Sequence, residues 1–205
     1  MWTAVLKLAG ATTAACAMLC AQSTRIEDLA AGKLLVMERK SADPVFGQSV
    51  ILLIFYNADG VVGLRLNQVA GLPLSRLSEL QGSNSRSDPI HVGGHVELAG
   101  ITALVRSPGP PPDGIHVAAD LYAVQTKRGI ETALKTSKGS DDFRIYLGYC
   151  GWVIPQLQNE VKRGSWHIFD HGEDFAFDSA PATLWKRLIE RAELKVAFAP
   201  VLKIP

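Results

Sequence analysis

His91-Val92-Gly93-Gly94-His95-Val96-Glu97 sets two imidazoles four residues apart with a carboxylate two further on, donor types that a transition metal accepts. That spacing converges on a helix, where residues four apart share a face. Two adjacent glycines and two valines oppose a helix, and along an extended strand residues four apart are separated by about 13 Å. The expected form is therefore strand, turn and strand with solvated histidines. A turn at Gly93-Gly94 keeps His91 and His95 open as metal ligands for a metal-dependent or hydrolytic enzyme, with Glu97 or Asp170 as the acid. The same two glycines offer backbone N–H groups for a small anion-accepting nest.

Trp166-His167-Ile168-Phe169-Asp170-His171-Gly172-Glu173-Asp174-Phe175 carries two histidines and three acids. Its alternation reads as a strand running into a polar turn before it reads as a ligand set. Cys150 with any histidine makes a conceivable nucleophile, but it sits in an aromatic, glycine-flanked strand end with no base nearby in sequence, the setting of a packed thiol. No GxSxG, HExxH, Walker A or GxGxxG pattern occurs in the chain. The segment Leu147 to Glu160 is different in kind: Gly148 and Gly151 bracket Tyr149, and Trp152 leads through Pro155 into a helix that shows Gln156 and Glu160 on one face. Backbone crowding at a sheet-to-helix corner explains the glycines, and a ligand platform needs the same residues.

These groups must be held by a sheet. Lys33 to Met37 and the uninterrupted apolar run Val50 to Tyr56 read as strands, the second covered on both faces. Asn57-Ala58-Asp59-Gly60 is turn chemistry, and Val62, Leu64 and Leu66 alternate with Gly63, Arg65 and Asn67 as a hairpin partner with one face inward. Leu74 to Leu80 allows a short helix. Further strands are read at His91-Val92, Ile101 to Val105, Ile115 to Val117, Leu121 to Val124 and Phe143 to Tyr149. Helices are read at Lys127 to Lys135, Pro155 to Arg163 and Pro181 to Leu194, the last with Ser179 as cap. Loops fall at Gln81 to Pro89 and at Ser107 to Gly114, which is stiffened by three prolines. Strands arrive in clusters without strict alternation, so the fold class expected is α+β in a single domain.

The chain has 205 residues, 47% of them hydrophobic, and 21 basic against 20 acidic side chains give a formal charge of +1. Such a balance provides no field for nucleic acid, and three cysteines build no disulfide framework. Met1 to Ala21 holds one cation, Lys7, no acid, and an apolar stretch ending in small residues, the pattern of a secretory signal peptide cleaved after Ala21 or Ala17. It is too short and too rich in Thr and Ala for a membrane span. A lipid-bearing Cys20 and a start-site error with a cytoplasmic protein are the alternatives. The expected division is a signal peptide over 1–21, a lead over 22–31 and one domain over 32–205, periplasmic or secreted.

Gly148-Tyr149-x-Gly151-Trp152-x-x-x-Gln156-Leu157-x-x-Glu160, with Gly32-x-Leu34-Leu35-Val36, Asp43-Pro44-x-Phe46-x-x-Ser49-Val50, Gly63-x-x-Leu66-Asn67 and Val92-Gly93-Gly94, resembles the YqgE/AlgH family, the UPF0301 group. The resemblance runs from about Gly32 to Leu188. It implies an α+β domain with a bent, barrel-like mixed sheet flanked by helices and no established enzyme activity; one branch has been called a transcriptional regulator of alginate synthesis. The chain departs from the family at Met37-Glu38-Arg39, at His95 in place of Pro, and at Val153-Ile154-Pro155 in place of Gly-Pro-Gly. No basic recognition helix is visible for a regulator of transcription. The reading is a non-catalytic binding or accessory protein that uses no cofactor. Its partner is a protein or small molecule met at Asn67, Gly93, Gly94, His95, Gly148, Tyr149, Gly151, Trp152 and Gln156.

Overall fold

The computed structural model describes residues 22–198, so the leader expected over 1–21 lies outside the described residues. Eleven strands and three helices follow one another as β1 (Gln22–Ser23), β2 (Leu34–Met37), β3 (Val50–Asn57), β4 (Gly60–Arg65), β5 (Val69–Pro73), β6 (Pro89–Val92), β7 (Val96–Arg106), β8 (Gly114–Ala118), β9 (Leu121–Val124), α1 (Lys127–Thr136), β10 (Phe143–Trp152), α2 (Ile154–Lys162), β11 (Trp166–Phe169) and α3 (Pro181–Phe198). The strands form one mixed sheet in the order β1-β11-β2-β3-β4-β10-β7-β9-β8, with β6 also on β10 and β5 on β6. The β6–β10 pairing is parallel and the other pairings are antiparallel. No ladder closes the sheet, yet it curls far enough that a Cβ on Gly32 would lie 2.7 Å from that of Ala118 in β8.

Two strands lose their alternation at a bulge, and this lets one sheet line three apolar clusters. Along β10, Phe143 and Ile145 face the cluster with Ile90, Ile130 and Leu134, while Tyr146 joins Leu34, Leu52, Leu104 and Leu188. The register slips between Leu147 and Tyr149, where Gly148 takes φ +66°. One inserted residue turns every later side chain to the other face. Tyr149 therefore packs with the Tyr146 cluster, and Cys150 and Trp152 enter a different one with Leu35, Leu157 and Trp166. A similar slip between Leu53 and Phe55 sends Ile54 and Tyr56 to different clusters.

The helices cover these clusters by their apolar stripes. Thr126 caps α1 by accepting from the Gly129 N–H at 3.1 Å, and Ile130, Ala133 and Leu134 are buried. Pro155 sits in the first turn of α2, whose buried residues are Leu157 and Val161. Leu184, Trp185, Leu188, Ile189 and Ala192 of α3 pack on the sheet, and the Trp185 indole donates to the Met37 carbonyl at 2.8 Å. Before α3, Asp178 rather than the expected Ser179 accepts a backbone N–H, from Ala180 at 2.9 Å.

Three expectations need correction. The hairpin partner β4 has both faces covered: Val61 and Gly63 are buried along with Leu64, since Ile51 and the Trp152 ring close over the second face. Leu74 to Leu80 forms no α-helix but a single 3-10 turn over Leu74–Arg76, with another at Ser83–Ser85, in a stretch whose serines and Gly82 (φ +92°) favour turns. His91 is not solvated but 1% exposed, because the parallel pairing with β10 sets it beside Tyr146 under the sheet's cover.

Candidate functional site

Gly93, Gly94 and Gly148 meet where the segment between β6 and β7 crosses β10. The Gly93 N–H donates to the Leu147 carbonyl at 2.8 Å, and the Gly93 carbonyl accepts from Arg65 N at 2.8 Å and from the Cys150 thiol at 3.4 Å. A Cβ on Gly93 would stand 2.3 Å from the Gly148 carbonyl oxygen, and one on Gly94 2.1 Å from Tyr149 backbone atoms. Such distances require glycine whatever the function. The anion-nest expectation fails at Gly93, whose N–H already serves the ladder. Cys150 is likewise packed: burial pushes its thiol up to about 12, against the lowering influence of Arg65, so it is no thiolate nucleophile at neutral pH.

Above this corner sits the loop between β2 and β3. Asp43 Oδ1 accepts from Val45 N and Phe46 N, each at 2.8 Å, and so aims the Phe46 ring inward. Phe46 stacks on Trp152 with centroids 5.4 Å apart and meets Trp166 and His95 edge-on at 5.7 and 5.4 Å. Asn67 staples the same loop by accepting from Val50 N at 2.9 Å and donating to the Gln48 carbonyl at 2.8 Å. Glu160 of α2 serves both indoles: its Oε2 accepts from Trp166 at 2.9 Å and Trp152 at 3.2 Å, and its Oε1 accepts from Gln156 at 3.1 Å. The outer surface of the assembly mixes exposed Val45 (44%) and Val153 (64%) with exposed His95 and Gln156, and the Arg65 guanidinium stands 5.9 Å from the Phe46 ring centre and donates to the Val45 carbonyl at 2.7 Å. A shallow hollow of about 450 Å³ adjoins it, between the β3–β4 turn and Val153, Ile154 and Pro155.

The expected site residues thus come together, although most are occupied in holding one another. Gly151 is half-buried under the Tyr149 ring, and Trp152 is 5% exposed. The two metal candidates separate: His95 lies on Phe46, whereas His91 packs on Tyr146 with ring centroids 5.1 Å apart. Among the described residues no three His, Cys, Asp or Glu side chains are grouped to hold a metal ion. The second histidine cluster is a strand and a polar turn: His167 faces Glu38 at 2.6 Å, and His171 bonds Glu173 at 3.3 Å. Glu160 was legible in one motif with Trp152 and Gln156, whereas Phe46 and Trp166 were legible as aromatic residues with no spacing that tied them to Trp152.

A second polar group lies inside the sheet. Tyr146 is flanked by His91 of β6 and Thr102 of β7 in register, and Arg144 follows two residues earlier on the same face. Burial pushes His91 down to about 4, the Arg144 charge adds to this, and the Leu66 backbone opposes it in part. Burial pushes Tyr146 up to about 12 despite the Arg144 charge. Elsewhere, Val105, Pro108, Pro111, Pro112 and the end of α1 line a groove of about 650 Å³ that none of the expected site residues reaches.

An open, curled α+β sheet whose central strand is bulged at a glycine corner and plugged by one aromatic loop defines a class of single-domain proteins. The sequence profile of the AlgH-like family, DUF179, matches residues 34–197, and the chain belongs to that family. A UPF0301 protein of Methylococcus capsulatus is 28% identical over 179 residues, 80% of this chain and 91% of that one. One from Magnetococcus marinus is 30% identical over 162 residues, 78% and 87% of the two chains. The solution structure of AlgH from Pseudomonas aeruginosa superposes with a TM-score of 0.65 at 21% identity, over 97% of this chain and 100% of that one. A crystal structure from Corynebacterium diphtheriae gives a TM-score of 0.63 at 18% identity over 80% and 87%. These two likenesses establish the fold. The family has no established function, and no helix among the described residues is long and apolar enough to cross a membrane.

Proposed function

We propose that this chain is a non-catalytic binding or accessory protein, acting outside the cytoplasm through the surface over the glycine corner. One observation carries the reading: Val45 and Val153, next in sequence to Phe46 and Trp152 respectively, are exposed, and exposed His95 lies on the Phe46 ring, while the indole and carboxylate groups beneath are paired with each other; we take these three side chains as one shelf. A rigid, internally satisfied base under an exposed apolar shelf suits recognition of a protein segment or small molecule and provides no free acid–base pair. Export is supported by the composition of Met1 to Ala21.

Photo-crosslinkers placed at Val45 and Val153, with one at exposed Lys186 as control, test the shelf. A single defined adduct is expected at both shelf positions, and Val153→Asp is expected to reduce its yield about tenfold. Equal yields at the shelf and at Lys186 overturn the reading. Intact mass after cell fractionation tests export separately: a periplasmic species beginning after Ala17 or Ala21 supports it, and a full-length cytosolic chain removes it without touching the shelf.

A further inference from the structure

Four of the seven buried side-chain atoms without a hydrogen-bond partner among the described residues belong to three neighbouring side chains: His91 Nδ1 and Nε2, the Tyr146 hydroxyl and Arg144 Nη1. Buried polar groups are satisfied in the great majority of cases, so a cluster of orphans in one place demands a reason. The three residues are 1%, 0% and 6% exposed. Arg144 donates its other nitrogens to neutral acceptors, Nε to the Ser140 carbonyl at 3.1 Å and Nη2 to the Asp178 carbonyl at 2.8 Å. The Asp178 carboxylate is engaged elsewhere, by Arg187 at 2.6 Å and Ala180 N at 2.9 Å. The Arg144 guanidinium approaches the Tyr146 hydroxyl and the Leu66 backbone approaches the His91 ring, neither contact reaching full hydrogen-bond geometry. An interior cation that no carboxylate contacts directly, although Asp178 feels its charge, next to a phenol and an imidazole whose hydrogen-bonding capacity is not filled, has the chemistry of an oxyanion receptor.

The cover over Arg144 is the segment between β11 and α3, whose Ala176 is buried in the same apolar cluster as Tyr146. Phe177 lies between two guanidinium groups, its ring centre 5.4 Å from Arg106 and 5.8 Å from Arg144. Arg106 also donates to the Glu173 carbonyl at 2.8 Å, so the segment is tied at both ends by the arginines it covers. Both ties are single charge-assisted hydrogen bonds to backbone carbonyls, so the segment is held over Arg144 by two contacts of the stronger kind.

We propose that Arg144, Tyr146 and His91 form an internal binding site for a small oxyanion, either the carboxylate end of an organic acid or an inorganic oxyanion, reached when the Phe177 segment lifts. Arg144 supplies the charge, and the Tyr146 hydroxyl and one His91 N–H fix the orientation. The site is independent of the shelf over the glycine corner.

The test titrates the full chain with formate, acetate, phosphate and chloride at constant ionic strength, following the His91 ring resonances by NMR and the melting midpoint. Expected is a saturable His91 shift with formate or acetate, or with phosphate, accompanied by a midpoint that rises with the logarithm of that anion's concentration. Response to the carboxylates alone identifies an organic acid, and response to phosphate identifies an inorganic source. Tyr146→Phe, which removes one unpaired hydroxyl and leaves the ring packing, is expected to weaken binding about tenfold. Arg144→Met is expected to abolish it. Unmoved His91 resonances with all three oxyanions, an equal response to chloride, or unchanged affinity in a folded Tyr146→Phe protein each overturn the proposal.

Discussion

Two polar clusters are served by the same strand, and they are built in opposite ways. On the far side of Gly148, the Glu160 carboxylate takes both indole N–H groups of Trp152 and Trp166 and the Gln156 amide as well. On the near side, Arg144, Tyr146 and His91 leave four buried polar atoms without partners. The first arrangement fixes structure, since a satisfied network resists rearrangement. The second retains unused hydrogen-bonding capacity and a buried charge, which costs stability and is found where a group must bind or respond. The boundary between them is one bulged glycine.

That boundary is where the largest effect is expected. Gly94→Ala drives a methyl group into the Tyr149 backbone at 2.1 Å and should lower stability by about 3 kcal/mol or prevent folding. Urea unfolding monitored by tryptophan fluorescence measures it, and an unshifted midpoint would mean the corner is slack. The next effect separates the clusters by pH. His91 falls from 6.5 to about 4 in the folded protein, so between those pH values the unfolded chain binds a proton that the folded ring refuses. Stability from this residue is fully present above pH 6.5 and is lost as pH falls toward 4, by about 3 kcal/mol in all. The difference between the wild-type and His91→Leu pH profiles isolates that slope, and parallel profiles would place the proton elsewhere.

Paired mutations sharpen the contrast. Glu160→Leu strands two indole donors and should cost about 2 kcal/mol with a change in tryptophan emission. Tyr146→Phe removes a hydroxyl whose approach to Arg144 falls short of full hydrogen-bond geometry, so its cost should stay within about 0.5 kcal/mol of zero. Equal losses from the two would erase the distinction between a satisfied and an unsatisfied cluster. The smallest effect is expected at Arg39→Ala: its ion pair with Glu193, at 2.6 Å, joins two side chains 42% and 44% exposed. Solvent screens such pairs, so they contribute little, and thermal melts of wild type and variant in low and high salt should nearly coincide.

Much of the framework was readable from side-chain period alone. The β3–β4 hairpin, the three helices and the short strands β8 and β9 occur where alternation, turn residues and apolar stripes place them. Gly93, Gly94, Gly148 and Trp152 were recognisable as a corner because two glycine-rich segments needed a common reason. The bulge at Gly148 was not readable, for a glycine in an apolar strand marks equally a bulge, a close approach or a bend. With it went the faces of Arg144 and Tyr146, and with the parallel β6–β10 pairing went the burial of His91. Arg144 itself was a signal: a single cation inside the apolar strand Phe143–Trp152 has to find either solvent or a purpose.

The position of β10 also sets an order of events for the growing chain. Its Cys150 to Trp152 pair with Val61 to Gly63 of β4, and its first half pairs with β6 and β7. Domains tend to assemble from the N-terminal end during synthesis. The β3–β4 hairpin therefore leaves the ribosome with an open edge that stays unpaired until about 90 further residues are made. A long wait for a non-local partner slows folding and leaves an apolar edge available to other chains. Holding that hairpin soluble until β10 arrives is a task for whatever receives the nascent protein, and the chain's demand for such help should fall sharply once Trp152 has emerged.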